Sequence, residues 1–303
     1  MKDFLFKSPT KVKFGAGISF QLYEIFEEMG AKKPFIVTGK HVGKTDEFAK
    51  IIASLEEKGY SVQLFTDTQP DPPIDVCDAA AQVLKDSGCD VCVAVGGGSV
   101  IDTAKAMCML VTNEGSVKEY LFGGSKTVEN PSLPLIAVPT TAGSGSEVSA
   151  ASVITDEEND IKLSVSHEYL MPKFAVIDPL QQIHMPAFIT ATTGMDALTH
   201  AIESYVSLNA NPFSDAYGEM AIRLIGENIR TAVHDPMNLA AREKMAVAST
   251  LAGTAFVNGG LGAVHGISQA MGGVAHVAHG TANSMMLPFV IEKNIPGNLE
   301  KFG

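Results

Sequence analysis

Between residues 17 and 110 the sequence alternates short apolar runs with stretches of helical period, and that alternation admits few folds. Amphipathic segments at residues 21–29, 47–58, 74–87 and 100–110 are separated by apolar runs at 34–38, 61–66 and 91–95. Strands that alternate with helices form parallel sheets, because each helix carries the chain back to begin the next strand in the same direction. Further strand-like runs follow at 135–138, 151–155, 161–166 and 174–178. From residue 192 the strand signals stop, and helices are predicted over 192–208, 213–230, 237–257 and 262–272. The expectation is an α/β domain over residues 1–184 and an all-helical domain over 185–303, closely packed with a cleft between them. Such clefts are common ligand sites.

At 303 residues the chain is long enough for two such domains. Hydrophobic residues make up 46% and charged residues 18%, the composition of a globular protein rather than a disordered one. Twenty-two basic against 34 acidic residues leave a formal charge of −12, which disfavours phosphate backbones and anionic membrane surfaces. No nucleic acid partner is expected. Residues 1–15 lack the apolar stretch and cleavage site of a secretory signal, so the expected location is the cytoplasm, where Cys77, Cys89, Cys92 and Cys108 stay reduced. Cys89 and Cys92 form a lone CxxC in a strand-like run, where odd spacing sends the two side chains to opposite faces and suits structural thiols. No charged residue occurs between Lys244 and Glu292, but Asn258, His265, Gln269, His276 and Asn283 interrupt the run. Buried helices lining a polar site are expected there, not a membrane span.

Three segments carry chemistry. Gly96, Gly97, Gly98 and Ser99 stand directly between a strand and a helix, where backbone N–H groups and the helix dipole favour a diphosphate. The spacing is not the GxGxxG dinucleotide fingerprint. A second glycine-rich turn, Gly39 to Gly43 with Lys44 and Thr45, is one residue short of a P-loop. Thr140, Thr141 and Ser144 follow the strand at 135–138, and hydroxyls at a strand's C-terminal end suit ribose, phosphate or amide recognition. In the helical half, Asp196 and His200 are four residues apart and share a helix face. His265 and His279 lie inside the uncharged run, where desolvated imidazoles need partners and a divalent cation supplies one. One carboxylate and three imidazoles suit Fe²⁺ or Zn²⁺. His276 reads as a polar group at the cleft edge.

Together the segments around Gly96 to Asp102, Pro139 to Glu147, Gly194 to Glu203, and Val264 to Gly273 with His279 and Gly280 resemble the iron-containing (group III) alcohol dehydrogenases over nearly the whole chain. The resemblance implies a dehydroquinate-synthase-like fold, a Rossmann-like parallel sheet followed by helices, with NAD or NADP in the cleft. It implies Asp196, His200, His265 and His279 as ligands of Fe²⁺ or Zn²⁺. It implies Gly97, Gly98 and Ser99 at the diphosphate, within the motif that also contains Gly96 and Asp102. Thr140, Thr141 and Ser144 would flank the nicotinamide, and Lys162 would reach a ribose. Asp71 stands where many relatives have an asparagine near the adenosine. The implied activity is hydride transfer between the nicotinamide and a small alcohol or aldehyde polarised by the metal.

Three departures accompany the resemblance. NAD-preferring relatives often carry an aspartate after the strand at 35–38, where this chain has Gly39 followed by Lys40, so NADP or dual use is expected. Gln269 replaces a further histidine that many relatives have near the substrate. Residues 298–303 read as the start of a helix where relatives continue, so the chain is expected to be truncated there. The alternatives are a zinc polyol dehydrogenase of the glycerol type, a lyase of the same fold, or an inactive nucleotide-binding fragment. A homo-oligomer is the expected assembly.

Overall fold

The computed structural model describes residues 3–302, which form two compact units. One comprises Pro9–Thr140 and Ser146–Gln182, the other residues 3–8, Thr141–Gly145 and 183–302. A single cut after residue 184 therefore differs from this division at residues 3–8, at Thr141–Gly145 and at residues 183–184. Residues 3–8 join the helices through Asn258, whose carboxamide accepts from Lys7 N at 2.6 Å and donates to Lys7 O at 3.0 Å. Thr141–Gly145 joins them because Gly145 packs on the backbone of Gly253.

The first unit runs β1 (Lys11–Phe14), α1 (Leu22–Met29), β2 (Pro34–Thr38), α2 (Asp46–Glu57), β3 (Gln63–Phe65), α3 (Ile74–Ser87), β4 (Val91–Gly96), α4 (Gly98–Thr112), β5 (Leu135–Pro139), β6 (Ala151–Asp156), β7 (Ile161–Ser166) and β8 (Phe174–Ile177). Six strands form one parallel sheet in the order β1-β8-β5-β4-β2-β3, and β6 and β7 pair as a separate antiparallel hairpin. The central strands are buried on both faces, as parallel strands covered by helices must be. Their period of two splits the core: Phe35, Val37, Cys92, Ala94 and Ala137 pack with residues of α3 and α4. Ile36, Val93, Val95, Ile136 and Val138 pack with residues of α1 and α2.

Two features depart from the sequence reading. Strand β1 carries no apolar run, since Lys11 and Lys13 alternate with half-exposed Val12 and Phe14 along a sheet edge; pairing with β8 fixes it. Cys89 precedes β4 instead of lying in it, so strand alternation does not apply, and it packs against the same cluster as Cys92. All four cysteines are free thiols, and burial raises the pKa of Cys77 and Cys89.

The helical unit contains α5 (Ala187–Val206), α6 (Pro212–His234), α7 (Leu239–Gly259), α8 (Ala263–Ala275), α9 (His279–Asn294) and α10 (Leu299–Phe302). Small residues, Ala197 and Ala201 of α5, Ala221 of α6, and Ala248 and Ala252 of α7, bring the first three helices together. Arg242, fully buried in α7, donates to Thr190 Oγ1 at 2.9 Å and Met185 O at 3.2 Å, which ties down the start of α5. The uncharged run becomes most of α7, α8 and α9. Helix α9 escapes the periodicity because His279, Gly280, Asn283 and Pro288 break its apolar pattern. Among the described residues no single helix is long and apolar enough to cross a membrane.

The β4–α4 turn permits a test. A Cβ added to Gly96 would lie 2.5 Å from Val100 Cβ, in the first turn of α4, so strand and helix meet only if this position is glycine. Gly96→Ala is expected to destabilise the chain by about 1–3 kcal/mol in urea unfolding, as overpacked sites do; an unchanged midpoint would mean that the turn yields freely.

Candidate metal centre

Three helices bring four side chains to one point. Asp196 and His200 lie one turn apart on α5, His265 in the first turn of α8, and His279 opens α9. Asp196 Oδ1 is 3.5 Å from His279 Nε2, 3.7 Å from His265 Nε2 and 4.0 Å from His200 Nε2. Asp196, His265 and His279 form the tightest group, their ligand atoms all within 4.8 Å of one another. His200 stands at its side, its ring stacked at 4.4 Å on His265 and 4.6 Å on Phe256. Asp196, His200 and His265 are buried, and His279 is half-buried.

The donor set fits a divalent cation. Tetrahedral ligands about 2.0–2.2 Å from an ion stand roughly 3.4 Å apart, a little closer than the separations from Asp196. The far sides of two rings are already engaged: His200 Nδ1 faces Gly143 O at 3.2 Å and His265 Nδ1 faces Glu203 Oε2 at 2.6 Å. An imidazole that donates from Nδ1 keeps its Nε2 lone pair for a metal. Asn283, fully buried one turn beyond His279, donates from Nδ2 to Asp196 Oδ1 at 2.6 Å and lies 3.3 and 3.2 Å from the Nε2 atoms of His265 and His279. A positively polarised N–H group thus sits among the acceptors a cation would use, while Asn283 Oδ1 is buried without a hydrogen-bond partner.

Electrostatics follow the same arrangement. Burial opposes ionisation of Asp196, but the neighbouring imidazoles more than compensate and hold it well below the usual carboxylate range. Burial pushes His200 down to about 3, so its ring is neutral. Burial also opposes charge on His265, yet hydrogen bonds to Asp196 and Glu203 prevail and raise it to about 9. Burial likewise opposes charge on Glu203, but the His265 ring and the Gly262 N–H outweigh it, and its pKa is lowered.

Of the residues expected around a cofactor, those in the α/β unit divide into two groups. Helix α4 starts at Gly98 with Gly97 as its N-cap and no side-chain cap, leaving first-turn N–H groups for an anion. Ser99 Oγ accepts from Asp71 N at 3.2 Å, and Asp71, at positive φ, pairs with Lys162 Nζ at 2.6 Å, so these three meet. Thr140 is buried and donates its N–H to Gly96 O at 3.0 Å. Asp102 is turned inward, accepting from Ser146 Oγ at 2.5 Å and Val153 N at 3.1 Å, so its carboxylate serves the fold of the unit. Gly39 follows β2 and bridges to Asp67, and Lys40 Nζ lies 3.2 Å from Asp67 Oδ1. Asp67 thereby offsets the charge on which the expectation of NADP rests. Thr141 and Ser144 belong to the helical unit, in the loop whose Gly143 carbonyl faces His200. His276 ends α8 in the left-handed conformation, and Gln269 lies one turn after His265.

The sequence reading missed Glu203 and Asn283. Glu203 is seven residues after Asp196 and Asn283 four after His279, so helical spacing was the available signal for both.

The pKa directions give a pH prediction for the metal-free chain. His265 is raised above its ordinary 6.5 to about 9, so its proton stabilises the fold fully below pH 6.5 and ceases to as pH rises through about 9. The stability difference between the chain and His265→Gln, measured by urea unfolding from pH 6.5 to 10, should shrink with rising pH; a constant difference would contradict this assignment.

The family described as iron-containing alcohol dehydrogenase matches residues 9–179, and the C-terminal domain of the Fe-containing alcohol dehydrogenases matches residues 190–303. The chain is 40% identical over 294 residues to the NAD-dependent methanol dehydrogenase of Bacillus methanolicus, covering 97% of this chain and 77% of that protein. It is 42% identical over 292 residues to the 1,3-propanediol dehydrogenase of Klebsiella pneumoniae, covering 95% and 75%. A crystal structure of 1,3-propanediol oxidoreductase superposes with a TM-score of 0.94 at 40% identity, covering 99% of this chain and 78% of that one. Sulfoacetaldehyde reductase from Bifidobacterium kashiwanohense, solved in complex with NAD⁺, superposes with a TM-score of 0.91 at 32% identity, covering 97% and 77%.

Proposed function

The chain belongs to the iron-containing alcohol dehydrogenase family, and from that membership we propose that it oxidises small alcohols, and reduces the corresponding aldehydes, with a divalent metal and a nicotinamide dinucleotide. The observation that carries the proposal is the convergence of Asp196 Oδ1 with the Nε2 atoms of His200, His265 and His279. When bound, Fe²⁺ or Zn²⁺ polarises the substrate oxygen and the nicotinamide takes or gives the hydride.

The chain's own residues supply position and charge. Asp196 contributes the negative charge that retains a cation in a buried setting, and the three imidazoles, each binding through a nitrogen that has given up its proton, would add ligands without adding charge. Gly143 O and Glu203 orient two of those rings from behind. In the α/β unit the uncapped N–H groups of α4 would hold the diphosphate, with Ser99, Asp71 and Lys162 as the polar set beside it. NAD is favoured over NADP because Asp67 pairs with Lys40 beside Gly39 and leaves no net positive charge there to attract a 2′-phosphate.

Anaerobically purified chain is expected to contain about one Fe or Zn per polypeptide and to reduce NAD⁺ in the presence of short primary alcohols. Asp196→Asn should lose the metal and lower kcat/KM by roughly a thousandfold or more, while far-UV circular dichroism stays unchanged. Full turnover by metal-free protein would refute the proposal. A reaction without net NADH would point to the same-fold lyase instead.

A further inference from the structure

We propose that Glu203 is a positioning residue of the metal centre: its carboxylate caps helix α8 from outside and fixes His265 with its proton on Nδ1, so that Nε2 faces Asp196. The inference rests on the reading of the four-residue centre given above and concerns a side chain outside that set.

Glu203 lies on α5, seven residues after Asp196 and three after His200, and so on the same helix face. It is buried, and both its oxygens are in use. Oε1 accepts from Val264 N at 2.7 Å; Oε2 accepts from Gly262 N at 3.0 Å and His265 N at 3.4 Å, and faces His265 Nδ1 at 2.6 Å. The first N–H groups of a helix need acceptors, usually the side chain of the N-cap residue. The N-cap of α8 is Gly262, which has no side chain to offer. Glu203 takes that part from another helix, and it can approach only because a Cβ on Gly262 would stand 2.7 Å from Oε1. An ionised carboxylate has no hydrogen to give, so Nδ1 of His265 must be the donor. The free lone pair of the neutral ring then falls on Nε2, 3.7 Å from Asp196 Oδ1. One carboxylate thus sets the place of the α8 terminus, the orientation of the ring and the nitrogen left for a metal.

Glu203→Gln removes this arrangement while nearly preserving shape. Because both oxygens accept from N–H groups, either orientation of the new amide sets a donor against a donor. Facing His265, the amide nitrogen drives the ring proton to Nε2; facing Val264, it leaves the helix start without its acceptor.

The test uses the 303-residue chain freed of metal. Zn²⁺ affinity is measured by competition with a chromophoric chelator, and histidine tautomers by long-range ¹H–¹⁵N correlation on ¹⁵N-histidine-labelled protein. The wild-type chain should show His265 protonated at Nδ1 throughout, with the second proton on Nε2 present before Zn²⁺ is added and displaced after. Glu203→Gln should bind Zn²⁺ roughly 10- to 100-fold more weakly, and Glu203→Asp, which retains the carboxylate, should recover part of the loss. Wild-type His265 with its proton only on Nε2 would overturn the inference without recourse to a variant, so a poorly folding Glu203→Gln does not remove the test. Equal Zn²⁺ affinity in wild type and Glu203→Gln would overturn it as well. Absence of one-to-one Zn²⁺ binding by the wild type would instead overturn the metal reading on which it rests.

Discussion

A buried carboxylate needs positive charge beside it, and Asp196 imposes that requirement on the helical unit. It lies on α5 in a stretch that supplies no lysine or arginine between Lys173 and Arg223, and its partners His265 and His279 lie in the uncharged run between Lys244 and Glu292. Without an ion, the compensation comes from the His265 proton and the Asn283 amide. Both are weak substitutes for a divalent cation, because one is lost at alkaline pH and the other is a dipole. The helices are therefore arranged around a demand for charge that their own side chains meet only in part. That is the physical basis for reading the centre as a cation site.

How much of this was legible in the sequence depends on how local each signal is. Asp196 and His200 are legible because one helix turn separates them, and His265 and His279 because imidazoles stand out in an uncharged run. The contribution of Gly143 is hidden because a backbone carbonyl has no sequence signature. Glu203 is quoted in its motif but has no visible role there, since its partners are backbone N–H groups about sixty residues away. Asn283 reads as an interruption of apolar sequence, although helical spacing from His279 carries its meaning.

The α/β unit shows the same division. Strands β2, β4 and β5 are readable as apolar runs because both their faces are buried, whereas β1 depends on a pairing with β8 more than 150 residues away. The glycine cluster is readable as the turn that opens α4. The ion pair between Asp71 and Lys162, and that between Lys40 and Asp67, are not, because each joins separate loops or strands. The second pair matters most for interpretation: Lys40 alone argues for a phosphorylated ribose, and Lys40 beside Asp67 does not.

The central claim is that Asp196, His200, His265 and His279 together hold one divalent ion. Titration of metal-free chain with Co²⁺, followed by visible absorption, tests it most directly. The account predicts saturation at one ion per chain with the intense d–d bands of a low-coordinate site of nitrogen and oxygen ligands, and loss of those bands in Asp196→Asn. Weak, non-saturating uptake with the faint spectrum of hydrated Co²⁺ would contradict it.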